Sequence, residues 1–301
     1  MRIGVDFGGT KIEVSVLDEA GREILHQRAP TPHGDYEGCI RDIAALVRAV
    51  AGKANASGPV GMGIPGAISA KTGLVMTSNA TWIVGHAMDK DLAAAVDRKV
   101  RIENDANCFA LAETVDGCAR DCAVVFGAIL GTGVGAGITV NKRVLSGHIG
   151  IAGEWGHNPL PWPTAEEYPG PDCYCGRRGC MERFVSGTAF SADHATVTGW
   201  TLKGEEIVRD MHAGEAAARA TYQRYVSRLA RGLAVIVNIL DPDAIVLGGG
   251  MSNLDELYRD LPGLMRPHVL SKEFDTPVLK PVHGDSAGVR GAAWLWRDEE
   301  P

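Results

Sequence analysis

Apolar and polar positions alternate through the first thirty residues. Residues 2–7, then Glu13-Val14-Ser15-Val16-Leu17, predict two strands; a turn follows at Asp18-Glu19-Ala20-Gly21, and 22–28 predict a third strand, an antiparallel β-meander. Pro30-Thr31-Pro32 breaks it. From Tyr36 to Ala51 the apolar residues Ile40, Ile43, Ala44, Val47 and Val50 recur at helical spacing. Val60 to Ile64 predicts a buried strand turning at Pro65-Gly66. Leu92 to Val96 predicts a short helix, Val100 to Glu103 a strand ending at Asn104-Asp105, and Asn107 to Val115 a helix. A second meander starts near 123–126, continues through 128–130, turns at Gly131-Thr132-Gly133 and resumes over 136–140 before Asn141-Lys142. Residues 147–187 are rich in Gly, Pro, Trp and Cys, keep no period, and need another source of order. A long helix is predicted from Glu215 to Leu240, a buried strand over 244–247 running into Gly248-Gly249-Gly250, and a last helix near 288–296.

The 301 residues are about twice an ordinary domain, which favours one large α/β unit or two lobes around a cleft. With 45% hydrophobic and 22% charged residues, the chain is expected to fold around a real core. A net charge of −7 argues against nucleic acid as a partner. No apolar run reaches the ~18 residues that span a bilayer, and an acid, Asp6, arrives too early for a signal peptide, so a cytoplasmic protein without a membrane partner is expected. Of seven cysteines, Cys173, Cys175 and Cys180 fall within eight residues, a spacing that suits thiolate ligands in a reducing compartment better than a disulfide framework.

Two glycine-rich loops lie between strands: Gly8-Gly9-Thr10-Lys11 and the run from Gly131 to Gly137. Neither opens a helix, so neither is a P-loop or a dinucleotide turn. Such a hairpin lets backbone N–H groups of Gly8, Gly9, Gly131 and Gly133 approach phosphate oxygens, with Thr10, Thr132 and Lys11 adding donors; two of them could clamp a triphosphate. Either loop alone is equally readable as a tight turn, and the repetition favours phosphate binding.

These loops, together with Cys173-Tyr174-Cys175-Gly176-Arg177-Arg178-Gly179-Cys180-Met181-Glu182, resemble the ROK family of sugar kinases along the whole chain. The resemblance implies an α/β, two-lobed actin-like (ribonuclease-H-like) fold with a structural zinc loop. On that pattern the first lobe takes residues 1–117 and a returning C-terminal helix, 286–301, and the second takes 118–285 with the zinc segment 154–182. Within the family, Gly61 to Gly66, Glu154 to Trp162 and Ala292 to Trp296 are most similar to bacterial fructokinases. The implied reaction is transfer of the γ-phosphate of ATP, with Mg2+, to the 6-hydroxyl of fructose. Glucokinase, N-acetylglucosamine kinase and mannokinase share these motifs and remain alternatives, because selectivity rests on a few hydroxyl contacts. A sugar-responsive repressor of the same family is remote, since such proteins carry a helix-turn-helix before the first hairpin. Family habit implies a homodimer.

Asp105 follows a strand and precedes a helix, where an open α/β sheet presents groups to its cleft, a place suited to the base that accepts a sugar hydroxyl's proton. It is equally placed to cap the helix. Asp6, at the end of the first strand, is either a turn cap or, as the resemblance implies, the acid that faces the phosphates and Mg2+. Cys173, Cys175 and Cys180 want a fourth ligand, and His157 can complete a tetrahedral Cys3His set for Zn2+; the alternative is free thiols and a pocket histidine. The resemblance further implies that Glu154, His157 and Glu182 bind sugar hydroxyls, with Gly66, Asn79, Asn104 and Asp105 in the same cleft. Gly249, in its glycine triplet, either lets adenosine approach the backbone or serves helix packing. Trp82, Trp155 and Trp162 are expected in the core or an interface, and Cys39, Cys108, Cys118 and Cys122 as small buried hydrophobes.

Overall fold

A computed structural model describes residues 1–296, which form two compact units. The first comprises Met1–Cys122, Gly137–Ala152 and the described residues from Val282 to Trp296; the second comprises Ala123–Ala136 and Gly153–Pro281. Residues 137–152 thus group with the first unit, whereas the lobe limits implied by the resemblance placed them within 118–285.

The opening meander is β1 (Arg2–Phe7), β2 (Lys11–Leu17) and β3 (Glu23–Pro30). Helix α1 (Tyr36–Ala54) starts where the Asp35 side chain accepts from Gly38 N at 2.8 Å, buries the predicted stripe, and stops at Asn55 in the left-handed region. It is followed by β4 (Val60–Ile64), β5 (Gly66–Ile68), β6 (Val75–Ser78), α2 (Met88–Val96), β7 (Val100–Asn104) and α3 (Asp105–Val115). Gly66 does not lie in a turn as expected but opens the β5–β6 hairpin. The sheet runs β3-β2-β1-β4-β7, antiparallel among the first three and parallel from β1 onward. Its register sets Asp6 beside Gly63 and Gly63 beside Glu103, so Asp6 and the Asn104-Asp105 junction share the carboxyl edge.

The second meander is β8 (Val124–Leu130) and β9 (Val134–Val140), then β10 (Arg143–Val144). The expected loop 131–137 is therefore only Gly131–Gly133, since the later glycines are already in β9. That strand crosses the boundary between the units at Ala136–Gly137, and its far half pairs with β10 inside the first unit. The irregular segment ends at α4 (Glu182–Val185), followed by α5 (Gly187–Thr198) and α6 (Gly204–Ala213), two helices not expected from the pattern, and the long α7 (Ala216–Leu240). Then come β11 (Ala244–Gly248), α8 (Asp255–Met265), β12 (Val278–Leu279) and α9 (Ala287–Trp294). Residues 297–301 of the expected terminal helix lie outside the described residues. Strands β8, β11 and β12 are parallel neighbours. No helix among the described residues is long and apolar enough to cross a membrane.

Within the first unit α9 is tied to the end of α3 by Asp116, which accepts from Arg290 Nη2 at 2.6 Å and Trp294 Nε1 at 3.0 Å. Burial pushes the Asp116 carboxyl up, but hydrogen bonds from His283 and Arg290 outweigh it and hold the pKa at about 2. A depressed folded-state pKa contributes stability that is present above the unfolded value and lost as pH falls through the folded one. Thermal melts should therefore lose about 2 kcal/mol between pH 4 and pH 2 from this group. Asp116→Asn should flatten that part of the pH dependence and lower stability at pH 7 by ~3 kcal/mol, since it leaves Arg290 half-buried without its anion; a variant with the parent's acid limb would show that the anchor is not Asp116.

Candidate active site

In the first unit, Asn104 is the cap of α3: its Oδ1 accepts from Ala106 N at 2.9 Å, and its Nδ2 donates to Gly66 O at 3.2 Å. This corrects the reading of Asp105 as the capping residue. Asp105 is the first helical residue, its side chain is exposed, and one oxygen accepts from Ala106 N at 2.8 Å. A Cβ on Gly66 would come within 2.1 Å of Thr77 O, so the hairpin that reaches Asn104 can close only with glycine here. Asn79 is exposed just beyond β6. The first glycine turn is closed by Gly8 N donating to Lys11 O at 2.9 Å; Gly9, Thr10 and Lys11 are exposed, and nothing lies within 4 Å of a Cβ built on Gly9. Lys11 pairs with Glu13, which lies opposite Asp6 across the β1–β2 ladder.

Burial first, then the Asp105 and Glu13 carboxylates, push the Asp6 pKa up to about 7 against the pull of Lys11. Glu13 is paired with Lys11, Arg28 and His26, whereas the Asp6 carboxylate is disfavoured chiefly by its burial; a divalent cation would favour its charged form, and the residues present fit Mg2+ held near Asp6.

In the second unit the hairpin Gly131–Gly133 is pinned from three directions. Gly187 N donates to Gly131 O at 2.7 Å and Thr188 Oγ1 to Thr132 O at 2.9 Å, which seats the start of α5 beneath the turn. Glu182 Oε2 accepts from Val134 N at 2.9 Å. Gly249, just past β11, has φ 78, and a Cβ there would approach Leu130 O to 2.6 Å. Glycine is thus required here for close approach to the hairpin, beside either of the two expected roles. The hairpin forms one wall of a cavity of about 900 Å3, continued by Thr188 and Ser191 of α5, Lys203 and Val208 around α6, and Gly250 to Glu256. Sequence reasoning missed Thr188, Ser191 and Lys203. The one available signal was Ser186, a helix cap whose Oγ accepts from Ala189 N at 3.0 Å.

His157, Cys173, Cys175 and Cys180 place one ligand atom each within 4.8 Å of one another. Cys173 Sγ to His157 Nδ1 is 3.6 Å, and Cys175 Sγ to Cys180 Sγ is 3.6 Å. A tetrahedral Zn2+ spaces its ligand atoms by roughly 3.3 to 3.8 Å, whereas a disulfide needs about 2 Å, so the cluster fits zinc. Burial, with the neighbouring Cys175 and Cys173 thiols, pushes Cys180 up to about 12, a crowding that a cation offsets. His157 sits on a single helical turn after Glu154, and its Nε2 lies 2.9 Å from the Tyr174 hydroxyl, a contact sequence reasoning did not foresee. The same segment has a second anchor. Arg231 donates to Trp162 O at 2.6 Å and, with Arg228, to the Glu167 carboxylate at 2.8 to 2.9 Å, all three side chains buried. Trp155 is buried as expected, while Trp162 is 52% exposed; Cys39 and Cys108 are buried, whereas Cys118 and Cys122 are only half-buried.

Comparison with known proteins carries the same direction. The ROK family model matches residues 2–299. An N-acetyl-D-glucosamine kinase of Yersinia pseudotuberculosis is 40% identical over 299 residues, covering 98% of each chain. Among solved structures, a ROK hexokinase from Thermus thermophilus superposes with a TM-score of 0.87 at 30% identity, covering 98% of this chain and 97% of that one. A Streptomyces griseus ROK family glucokinase, solved with glucose and AMPPNP, gives 0.78 at 29% identity, covering 98% of both. With a match from end to end, the protein belongs to the ROK family and is a sugar kinase with that family's α/β two-lobed fold.

Proposed function

We propose that the protein transfers the γ-phosphate of ATP to the 6-hydroxyl of N-acetyl-D-glucosamine. The observation that carries the sugar's identity is the 40% identity over 98% of both chains to an N-acetyl-D-glucosamine kinase. The expectation of fructose finds no such support, since none of the relatives reported above is a fructokinase.

In this reading Asp105 orients the sugar hydroxyl and accepts its proton as the oxygen bonds to phosphorus. Asn104, Gly66 and Asn79 are the first unit's candidates for holding sugar hydroxyls, and Glu154, His157 and Glu182, taken by themselves, are those of the second. One oxygen of Glu182 is already committed to Val134 N, which leaves the other for the sugar and couples its position to the hairpin. Backbone amides of Gly8 and Gly9 with Thr10 and Lys11, and of Gly131 and Gly133 with Thr132, receive phosphate oxygens. The cavity bounded by α5, α6 and Gly250 suits the adenosine. Asp6 would hold Mg2+, which would supply neutralisation of phosphate charge. His157, Cys173, Cys175 and Cys180 would hold zinc as a four-ligand structural site, which would fix the loop.

A coupled ADP-release assay with N-acetylglucosamine, glucose, mannose and fructose tests the reading. We expect kcat/KM for N-acetylglucosamine to exceed that for each competitor by at least about tenfold, the discrimination one well-placed group provides. Equal or higher values for fructose or glucose would reject the substrate and leave the kinase.

A further inference from the structure

Glu103 immediately precedes the Asn104-Asp105 pair, and its carboxylate joins two segments. Oε1 accepts from Ser146 Oγ at 2.6 Å, and Oε2 accepts from Asn107 Nδ2 at 2.9 Å. Asn107 lies on the first turn of α3 and is 3% exposed, so its bond to Glu103 is shielded from water and fixes that turn to the end of β7. Ser146 belongs to residues 145–152, a segment without helix or strand that carries exposed Leu145, Ile149 and Ile151. The same segment rests on the β5–β6 hairpin: Gly150 has φ 78, and a Cβ there would come within 3.1 Å of Ile68 O and 3.8 Å of Met76 Cε. That hairpin is in turn held by Asn104 through Gly66 O. In sequence the segment leads directly into Gly153-Glu154.

We propose that Glu103 is a positioning residue for the phosphoryl transfer. Through Ser146 it fixes the 145–152 segment on the hairpin that begins at Gly66, and through Asn107 it fixes the turn of α3 that carries Asp105. The inference rests on the reading of Asp105 and the sugar given above. Its two arms have separable consequences. Losing the Ser146 arm frees the segment but leaves Asp105 in place, so sugar affinity suffers and chemistry does not. Losing Glu103 altogether loosens the base as well.

The test compares Ser146→Ala, Glu103→Ala and Glu103→Gln for kcat, sugar KM, nucleotide-free sugar Kd and melting temperature. Ser146→Ala should raise KM and Kd about tenfold, with kcat within about twofold and a melting temperature lowered by no more than about 4 °C. Glu103→Ala should raise KM similarly and also lower kcat about tenfold or more. In Glu103→Gln the amide oxygen keeps the Ser146 hydroxyl while its NH2 can meet Asn107 Oδ1, a buried atom without a hydrogen-bond partner among the described residues, so most of the parent KM should return. Sugar KM and Kd within twofold of the parent in Ser146→Ala, or a Glu103→Gln no better than Glu103→Ala, would overturn the proposal. A parent chain that phosphorylates none of the four sugars would instead overturn the functional reading, and the inference with it.

Discussion

Asp105→Asn is expected to lower kcat about 1,000-fold while sugar KM moves by less than about threefold. A positioned general base contributes roughly 10²- to 10⁴-fold, and a neutral amide cannot accept the hydroxyl proton. The substitution is close to isosteric, and its oxygen can keep the bond from Ala106 N. The helix keeps its start as well, because the cap of α3 is Asn104 and not Asp105. Folding is therefore expected to survive, and melting temperatures within about 2 °C of the parent should accompany the lost rate. Removing the Asp105 charge also removes one of the carboxylates that push Asp6 up to about 7, so Asp6 should ionise more readily in the variant. Single-turnover measurements with saturating ATP and Mg2+ separate the chemical step from product release. A rate within tenfold of the parent would remove Asp105 from the role of base.

How much of this was legible in the sequence depends on whether the cause was local. The meander β1–β3 and helix α1 followed from alternation and from a single apolar stripe, and both are seen within a few residues of the expected limits. The β5–β6 hairpin was not, because Gly66–Ile68 is three residues long and its partner is set by pairing across an irregular register. Helix α8 was hidden by Pro262 in its interior, and α5 by an apolar set too small and scattered to mark a face. That residues 137–152 group with the first unit was not legible, since a strand's own pattern says nothing about where its far end finds a partner. The glycine turns and the Cys-x-Cys-x4-Cys run were visible because their chemistry is carried by neighbouring residues. The rest of the cavity wall comes from Thr188, Lys203 and Asn253, far from Gly131 in sequence and without a motif of their own. The sugar was the least legible property, as selectivity among hexoses rests on a few hydroxyl contacts that no short motif marks.

Zinc removal should be the other large effect, and it should be confined to part of the second unit. Between Gly153 and Met181 the chain has one single-turn helix and two isolated bridges, Pro159 with Cys180 and Asp172 with Arg178, so backbone hydrogen bonds alone give it little order. Its two ends are secured differently. Residues 161–167 are tied to α7 by Arg231 and Arg228, which need no metal. Residues 173–180 and His157 have short backbone bonds, among them Cys173 N to Arg177 O at 2.8 Å and Leu160 N to Gly179 O at 2.9 Å, and bring together the four ligand atoms that zinc would tie. We expect about one zinc per chain after gentle purification, and less than about 0.2 in Cys180→Ser. In that variant, or after chelation, hydrogen exchange should rise by about tenfold or more over 154–160 and 170–182, while 161–167 and the first unit stay as protected as in the parent. Sugar KM should rise at least about tenfold, because Glu154, His157 and Glu182 all border the loosened stretch, with ATP KM affected only through the bond from Val134 N to Glu182. Less than half a zinc per chain in the parent, or full sugar affinity after its removal, would mean that the thiols are not ligands and that the Glu167–Arg228–Arg231 anchor suffices to hold the segment.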